Sequence, residues 1–328
     1  MSFPFPARFP LALLPTPLQP AARLSAALAG PPILVKRDDL TGFALGGNKT
    51  RKLEYLIGDA LATGSDVLLT GGGPDSNHCQ AAAAAAQVAG LACQLVLYGD
   101  EPPRLRPNLE LARRFGASVE FTGDSDRASV DGALADRAEQ LRAAGRRPYL
   151  IPRGGATSLG AVGYALAVDE LAGQLAELHS EPEVVLVATG SCGTQAGLVA
   201  GTVATGRRWR VVGAAVSRPP AECHERVLRL ARGCAALLGS PAPKERDVEL
   251  VDARGPGYGA ASAQGDAAAS LAAATEGLLL DPVFTAKAMA ALVAAVAEGL
   301  HGPAVFVHTG GIPVALESTV RRCGDQQR

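Results

Sequence analysis

The chain has few of the residues that build disulfide-linked or metal-bound folds. Its 328 residues include six cysteines without a CxxC pair or regular spacing, namely Cys79, Cys93, Cys192, Cys223, Cys234 and Cys323. This usage argues against a disulfide framework and predicts reduced cytoplasmic thiols. His78, His224 and His308 lack the H-x-x-x-H or H-x-E spacing of metal ligands, so no metal is expected.

An excess of one charge and long apolar runs are also missing. A net charge of -1 gives no reason to expect nucleic acid or an anionic membrane as partner. The alanine-rich runs, such as 81–86, are shorter than the roughly 20 residues that span a bilayer. Prolines interrupt residues 1–20, which lack a basic start before an apolar core, so no signal peptide is predicted and a cytoplasmic location is expected.

What the sequence does have is a repeated alternation of short β-rich segments and helical runs. Strands are predicted at 66–70, 93–98, 118–122, 147–151, 183–190, 210–216, 248–252 and 303–308, with helices at 79–89, 107–115, 130–144, 160–178 and 194–204. This order predicts an α/β fold of parallel sheets covered by helices on both faces. Because one sheet of all these strands would be very broad, two domains are predicted, with a seam near 152–161.

Three glycine-rich turns follow predicted strands: "LLTGGGPDSNH", "VATGSCGTQAGL" and "FVHTGGIP". In open parallel sheets, ligands bind beyond the carboxyl ends of strands, where loops lead into helices. The second turn is the best phosphate-binding turn by composition, because glycines allow close approach and a helix start favours an anion. A single such turn is as often structural as functional, but three turns together with Lys49 indicate a site.

Common motifs of other site types fail. "GSCGTQAG" lacks the G-x-G-x-x-G spacing, and Asn48 separates the second glycine from Lys49 in the P-loop-like "GFALGGNKT". Neither Ser76 nor Ser191 lies in a G-x-S-x-G elbow, which disfavours a hydrolase triad. The charged run "KRDDL" at 36–40 is interpreted as a solvated turn.

Six segments, in the same order along the chain, resemble one enzyme group: "KRDDLTGFALGGNKTRKLEYL", "GGGPDSNHCQ", "ATGSCGTQAGL", "GPGYG", "LLLDPVFTAKAMAAL" and "HTGGIP". They are similar to the pyridoxal-phosphate enzymes of the D-cysteine desulfhydrase and 1-aminocyclopropane-1-carboxylate deaminase group. The resemblance implies the tryptophan-synthase-β-like fold (fold type II), pyridoxal 5′-phosphate as cofactor, and a homodimer. It places a large domain at 1–48 and 162–328 and a small domain at 49–161.

The resemblance also implies residue roles. Lys49 would attach the cofactor covalently and take the α-proton of the substrate as a base. Lys52 would contact the phosphate and Asn77 the ring oxygen, and the other cofactor-binding residues would be Thr189, Gly190, Ser191, Cys192, Gly193, Thr194 and Thr309. The turn at 76–78 would hold the substrate carboxylate. Substrate-facing residues would be Ser76, Asn77, His78, Tyr258, Phe284 and Thr285, with Ser76 and Tyr258 also catalytic.

Thr285 and Thr309 match the desulfhydrase branch, whereas the deaminase branch typically has glutamate and leucine at these positions. A threonine near the cofactor's ring nitrogen cannot hold a proton there as a carboxylate can. The resemblance therefore implies elimination of a good leaving group from a small β-substituted amino acid, most like D-cysteine, to give pyruvate, sulfide and ammonia.

Two departures from the family pattern leave alternatives open. "DPVF" has Phe284 where the family usually has tyrosine, and "GAASAQGD" after Tyr258 differs from the usual "GIPN"-like segment. The alternatives are an L-cysteate sulfo-lyase, a 1-aminocyclopropane-1-carboxylate deaminase, and β-replacement or racemisation on the same scaffold. A non-catalytic protein that binds the cofactor or an amino acid is a further alternative.

Overall fold

A computed structural model describes the protein over residues 6–325, with side chains described as far as residue 320. The interpretations of Cys323 and of the first five residues therefore lie outside the described parts. The strands are β1 (Leu18–Pro20), β2 (Ile33–Lys36), β3 (Val67–Gly72), β4 (Ala92–Leu97), β5 (Ser118–Phe121), β6 (Pro148–Leu150), β7 (Val184–Thr189), β8 (Arg210–Ala215), β9 (Glu249–Asp252) and β10 (Ala304–Val307). The helices are α1 (Ala22–Ala27), α2 (Asn48–Ala62), α3 (Asn77–Val88), α4 (Pro107–Arg114), α5 (Ser129–Ala143), α6 (Ser158–Glu177), α7 (Gly193–Ala204), α8 (Pro220–Leu238), α9 (Ala263–Glu276), α10 (Thr285–Ala297) and α11 (Ile312–Asp325).

The strands form two sheets. The larger has six strands in the order β1-β2-β10-β7-β8-β9, and the smaller has four in the order β5-β4-β3-β6. All neighbours are parallel except β1, which pairs antiparallel with β2. Every residue of β7 and β10 is buried, as expected for central strands covered by helices on both faces. The predicted α/β class is confirmed.

Every strand predicted from the sequence is present, within one or two residues at its ends. The short strands β1 and β2 were not predicted, nor were α1, α8, α9, α10 and α11. Within residues 6–325, no helix has both the length and the apolar content needed to cross a membrane.

Lys36, Asp38 and Asp39 of the charged run at 36–40 are buried, so its interpretation as a solvated turn is wrong. Asp38 and Arg51 are 0% and 2% exposed, and Arg51 Nε donates to Asp38 Oδ2 over 2.9 Å. Arg51 Nη2 also donates to Glu170 Oε1 over 2.8 Å, and Lys36 pairs with the same carboxylate. Although burial alone would raise the pKa of Asp38, Arg51 holds that pKa below its ordinary value. The partners that neutralise the run lie far along the chain, which local sequence does not reveal.

The ion pair between Asp38 and Arg51 joins the segment after β2 to α2. Replacing Asp38 by Asn would leave the Arg51 charge buried and poorly compensated, which costs about 3–5 kcal/mol in comparable cases. We expect Asp38→Asn to lower the free energy of unfolding by this amount in urea titrations. Asp252→Asn, which breaks an exposed pair with Arg254, is the control and should change stability little. Equal effects of the two substitutions would contradict the importance of the buried pair.

Candidate active site

A cavity of about 340 Å³ lies at the carboxyl ends of strands from both sheets. Its wall includes the segments that follow β3, β4, β7 and β10 and the start of α2. All three glycine-rich turns border it. This is the position at which open parallel sheets bind ligands.

The structure brings most of the predicted site residues to this cavity. Those that border it are Lys49, Ser76, Asn77, His78, Thr189, Gly190, Ser191, Cys192, Thr194, Tyr258, Phe284 and Thr309. Lys52, Gly193 and Thr285 are buried behind its wall.

Lys49 lies at the start of α2, two residues after a glycine with a positive φ. Gly47 has φ 106°, and a Cβ there would lie 3.0 Å from the carbonyl oxygen of Thr309, so a side chain would strain the turn. Lys49 Nζ donates to Asn48 Oδ1 over 2.8 Å. Burial lowers the pKa of Lys49 to about 8, although the nearby Asp281 carboxylate opposes this shift. The neutral form of the amine, which can act as nucleophile or base, is therefore a minority at neutral pH but far more abundant than for an ordinary lysine.

Asn48 connects this lysine to the turn that follows β7. Its Oδ1 accepts from Lys49, and its Nδ2 donates to Thr194 Oγ1 over 2.9 Å. Cys192 precedes α7 in the left-handed region, at φ 76°, which is uncommon for a residue with a side chain. Asn48, whose presence breaks the P-loop spacing, therefore orients Lys49 relative to the turn at 190–194.

Lys52 lies beside the same turn. Its Nζ donates to the carbonyl oxygen of Gly154 over 2.8 Å, and a Cβ at Gly193 would lie 3.3 Å from Nζ. Burial first, and then the charge of Lys49, lower the pKa of Lys52 well below its ordinary value. Among the residues with described side chains, no carboxylate pairs with it. A buried lysine without an anion, beside the first turn of α7, fits a phosphate group.

The turn before α3 offers hydrogen-bond donors to the cavity. Ser76 is the N-cap of α3 and accepts from the Cys79 amide over 3.2 Å, so its own hydroxyl proton is not used by that bond. Asn77 Oδ1 accepts from Asn108 Nδ2 over 2.9 Å. This bond fixes the Asn77 amide and leaves its Nδ2 as a donor. The arrangement fits an anionic or oxygen-bearing ligand.

Aromatic rings form the opposite wall. A Cβ at Gly190 would lie 3.0 Å from the Phe284 ring, so that ring packs against the glycine-rich turn that follows β7. Tyr258 meets Phe284 edge-on at 6.1 Å between ring centroids, and the Arg127 guanidinium lies 4.3 Å from the Tyr258 centroid. Tyr258 is 41% exposed and places a phenol at the cavity mouth.

Thr285, predicted to face the substrate, is fully buried and does not border the cavity. Its hydroxyl donates to Asp281 Oδ2 over 2.7 Å, and Asp281 itself does border the cavity. Burial raises the pKa of Asp281 despite bonds from the amides of 283–285. Sequence reasoning missed Asp281, Tyr98 and Arg127 as cavity residues. Only Asp281 had a local signal, since it belongs to the "DPVF" segment that matches the family pattern.

Comparisons with known proteins agree with this geometry. A family profile described as "Pyridoxal-phosphate dependent enzyme" matches residues 10–310. A D-cysteine desulfhydrase from Salmonella choleraesuis is 41% identical over 91% of this chain and 92% of its own. A 1-aminocyclopropane-1-carboxylate deaminase from Burkholderia cenocepacia is 40% identical over 93% of this chain and 94% of its own.

Solved structures agree as well. The crystal structure of a protein described as an ACC deaminase homologue is 38% identical and superposes with a TM-score of 0.88, covering 94% of this chain and 93% of that one. The α/β architecture, the cavity and these relatives lead to one assignment. The chain belongs to the pyridoxal-phosphate-dependent enzymes and has their fold type II architecture.

Proposed function

We propose that the protein is a carbon–sulfur lyase that catalyses α,β-elimination from a small β-substituted amino acid, most like D-cysteine. The observation that carries the proposal is the Lys49 amine, which borders the cavity with a pKa lowered to about 8. It lies between the glycine-rich turn at 189–194 and the hydrogen-bond donors of residues 76–78. The name of the Salmonella relative supports the choice of substrate.

Each wall of the cavity has a role in this proposal. Lys52 and the turn at 189–194 would hold the phosphate of the cofactor, and Asn77 Nδ2 would donate to its ring oxygen. When bound, pyridoxal phosphate supplies an electron sink for the bonds that break at the substrate. Thr309, which borders the cavity after β10, completes the set of cofactor-binding residues.

Lys49 has two tasks that need an uncharged amine. It would hold the cofactor covalently, and its neutral amine would take the α-proton of the substrate. Asn48 Oδ1 orients Nζ for both tasks. Ser76 and the amides of the turn at 76–78 hold the substrate carboxylate, which places the α-carbon near Nζ.

The aromatic wall favours a good leaving group. Phe284 has no hydroxyl, so a group that departs beside it receives no proton from this side chain. A thiolate leaves without such help more readily than a ring carbon does. Tyr258 is the phenol that remains near the substrate, where it donates a hydrogen bond.

The proposal extends to the assembly. We infer that 49–161, which contains the four-stranded sheet, is the small domain, and that 1–48 with 162–328 forms the large domain. We further infer a cytoplasmic homodimer, which light scattering of the purified protein tests directly.

Replacing Lys49 by Ala removes the attachment point of the cofactor. We expect Lys49→Ala to abolish the visible absorbance of the bound cofactor and to lower 2-oxo-acid release by about a thousandfold or more. Lys244→Ala, on an exposed loop, is the matched control and should behave as wild type. A Lys49→Ala protein that keeps both properties would overturn the proposed role of this residue.

The lowered pKa of Lys49 is testable in cofactor-free protein. Acetylation of the Lys49 amine needs the neutral form, so its rate should reach half its maximum near pH 8, below the 10.5 of an ordinary lysine. Because the Asp281 charge opposes the downward shift, Asp281→Asn should move the midpoint to still lower pH. Mass spectrometry of the Lys49 peptide measures both midpoints. A wild-type midpoint near 10.5, or an upward shift in the variant, would contradict the electrostatic account.

A substrate panel tests the reaction itself. We expect 2-oxo-acid release to be fastest with D-cysteine and slower with L-cysteine, L-cysteate and 1-aminocyclopropane-1-carboxylate. Faster release from either of the last two would replace the proposal with the corresponding sulfo-lyase or deaminase activity. Exchange of the α-proton without 2-oxo-acid release from any of them would favour β-replacement or racemisation.

A further inference from the structure

His78 presents a buried nitrogen to the active-site region. The residue is 2% exposed, borders the cavity and lies in the first turn of α3. In the described part of the chain, its Nδ1 has no hydrogen-bond partner. Because buried polar atoms in native proteins are nearly always bonded, this nitrogen is expected to bind a group during function.

Thr70 determines which ring nitrogen of His78 carries the proton. The Thr70 hydroxyl donates its single proton to the carbonyl oxygen of Ile151 over 2.7 Å. Toward His78 Nε2, which is 2.9 Å away, the same hydroxyl can only accept. Nε2 therefore carries the ring proton, and Nδ1 is a bare lone pair. Burial, and then the charges of Lys49 and Lys52, lower the pKa of His78 well below its ordinary value, so the ring stays neutral.

This tautomer changes the role predicted for His78. A bare lone pair repels a carboxylate, so the side chain cannot donate a hydrogen bond to the carboxylate of the substrate. Only the backbone N–H of His78 is suited to that task. The side chain needs a donor.

Lys52 lies near this edge of the ring, linked to it through Gly154 and Gly155, and does not contact Nδ1 in this structure. A Cβ at Gly155 would lie 3.2 Å from His78 Cε1 and 3.5 Å from Nδ1, so Gly155 packs against this edge. The preceding residue, Gly154, accepts from Lys52 Nζ over 2.8 Å. With a phosphate bound as its counter-charge, Lys52 is an ammonium group with three protons, of which Gly154 takes one. Lys49 also lies near the ring, since its charge lowers the pKa of His78 more than that of Lys52 does, but its Nζ donates to Asn48 Oδ1.

We propose that His78 is a positioning residue for the cofactor phosphate: its Nδ1 accepts one N–H of the Lys52 ammonium and directs another toward the phosphate. The three protons of Lys52 then go to the carbonyl oxygen of Gly154, to His78 Nδ1 and to the phosphate. The inference rests on the proposed placing of the phosphate at 189–194 and does not depend on the substrate. It explains why a neutral acceptor is buried beside two lysines.

The test compares the equilibrium affinities of cofactor-depleted protein for pyridoxal phosphate and for pyridoxal, which lacks the phosphate. His78→Leu removes the lone pair, and we expect about a tenfold or greater loss of pyridoxal-phosphate affinity, as for a hydrogen bond to a charged group. Pyridoxal affinity should not change. His78→Gln, whose amide oxygen is an acceptor, should restore most of the loss. His224→Leu, a histidine on α8 bonded to the Glu245 carbonyl oxygen, is the matched control.

Three results would overturn the inference. Equal losses for both ligands would mean that His78 acts through Lys49 or through packing alone. An unchanged pyridoxal-phosphate affinity in His78→Leu, or a loss in His78→Gln as large as in His78→Leu, would show that the lone pair is not used. If His78→Leu does not fold, Thr70→Val takes its place. This substitution removes the hydroxyl that keeps the ring proton on Nε2, so it should cause the same phosphate-specific loss.

The failure of the proposed function has a different signature. The wild type could release no 2-oxo acid from any amino acid while His78→Leu still shows the phosphate-specific loss. This result would contradict only the lyase proposal. If the wild type is active and His78→Leu does not change the affinity for pyridoxal phosphate, only this inference is contradicted.

Discussion

The active-site region depends on the burial of positively charged side chains without a matching anion. Lys49 and Lys52 lie one helical turn apart on α2, and burial lowers the pKa of both. The Asp281 carboxylate offsets only part of the lowering of the Lys49 pKa. Among the residues with described side chains, no carboxylate pairs with Lys52, and in the proposed function a phosphate at the start of α7 supplies the counter-charge. In the proposed function, the same burial lowers the pKa of Lys49 and leaves Lys52 in need of the cofactor phosphate.

That arrangement needs α2 to be held rigidly, and a second buried charge cluster does so. Arg51, on the same helix, pairs with Asp38 after β2 and with Glu170 on α6. Gly163 on α6 has no side chain where α2 passes, since a Cβ there would lie 2.1 Å from the Arg51 carbonyl oxygen. The helix is therefore fixed by ion pairs and by close backbone packing at the turn that separates Lys49 from Lys52.

Much of the fold was predictable, because the central strands are continuous apolar runs and the helices between them are rich in alanine. The meeting of the glycine-rich turns at one site was also predictable, since parallel sheets bring strand ends to one edge. Residues 36–40 were misinterpreted because Arg51 and Glu170 neutralise them only in three dimensions. Tyr98 and Arg127 were missed for a similar reason: neither belongs to a motif, and only the tertiary fold places them at the cavity. The neutral tautomer of His78 depends on Thr70 and Ile151, so no local pattern predicts it.

The central claim is that Lys49, and not the neighbouring Lys52, attaches the cofactor. Borohydride reduction of the cofactor-loaded protein, followed by proteolysis and mass spectrometry, makes the attachment permanent and locates it. The account predicts the pyridoxyl-phosphate mass on Lys49, with Lys52 unmodified. Attachment to Lys52, or to a lysine outside the cavity, would contradict it.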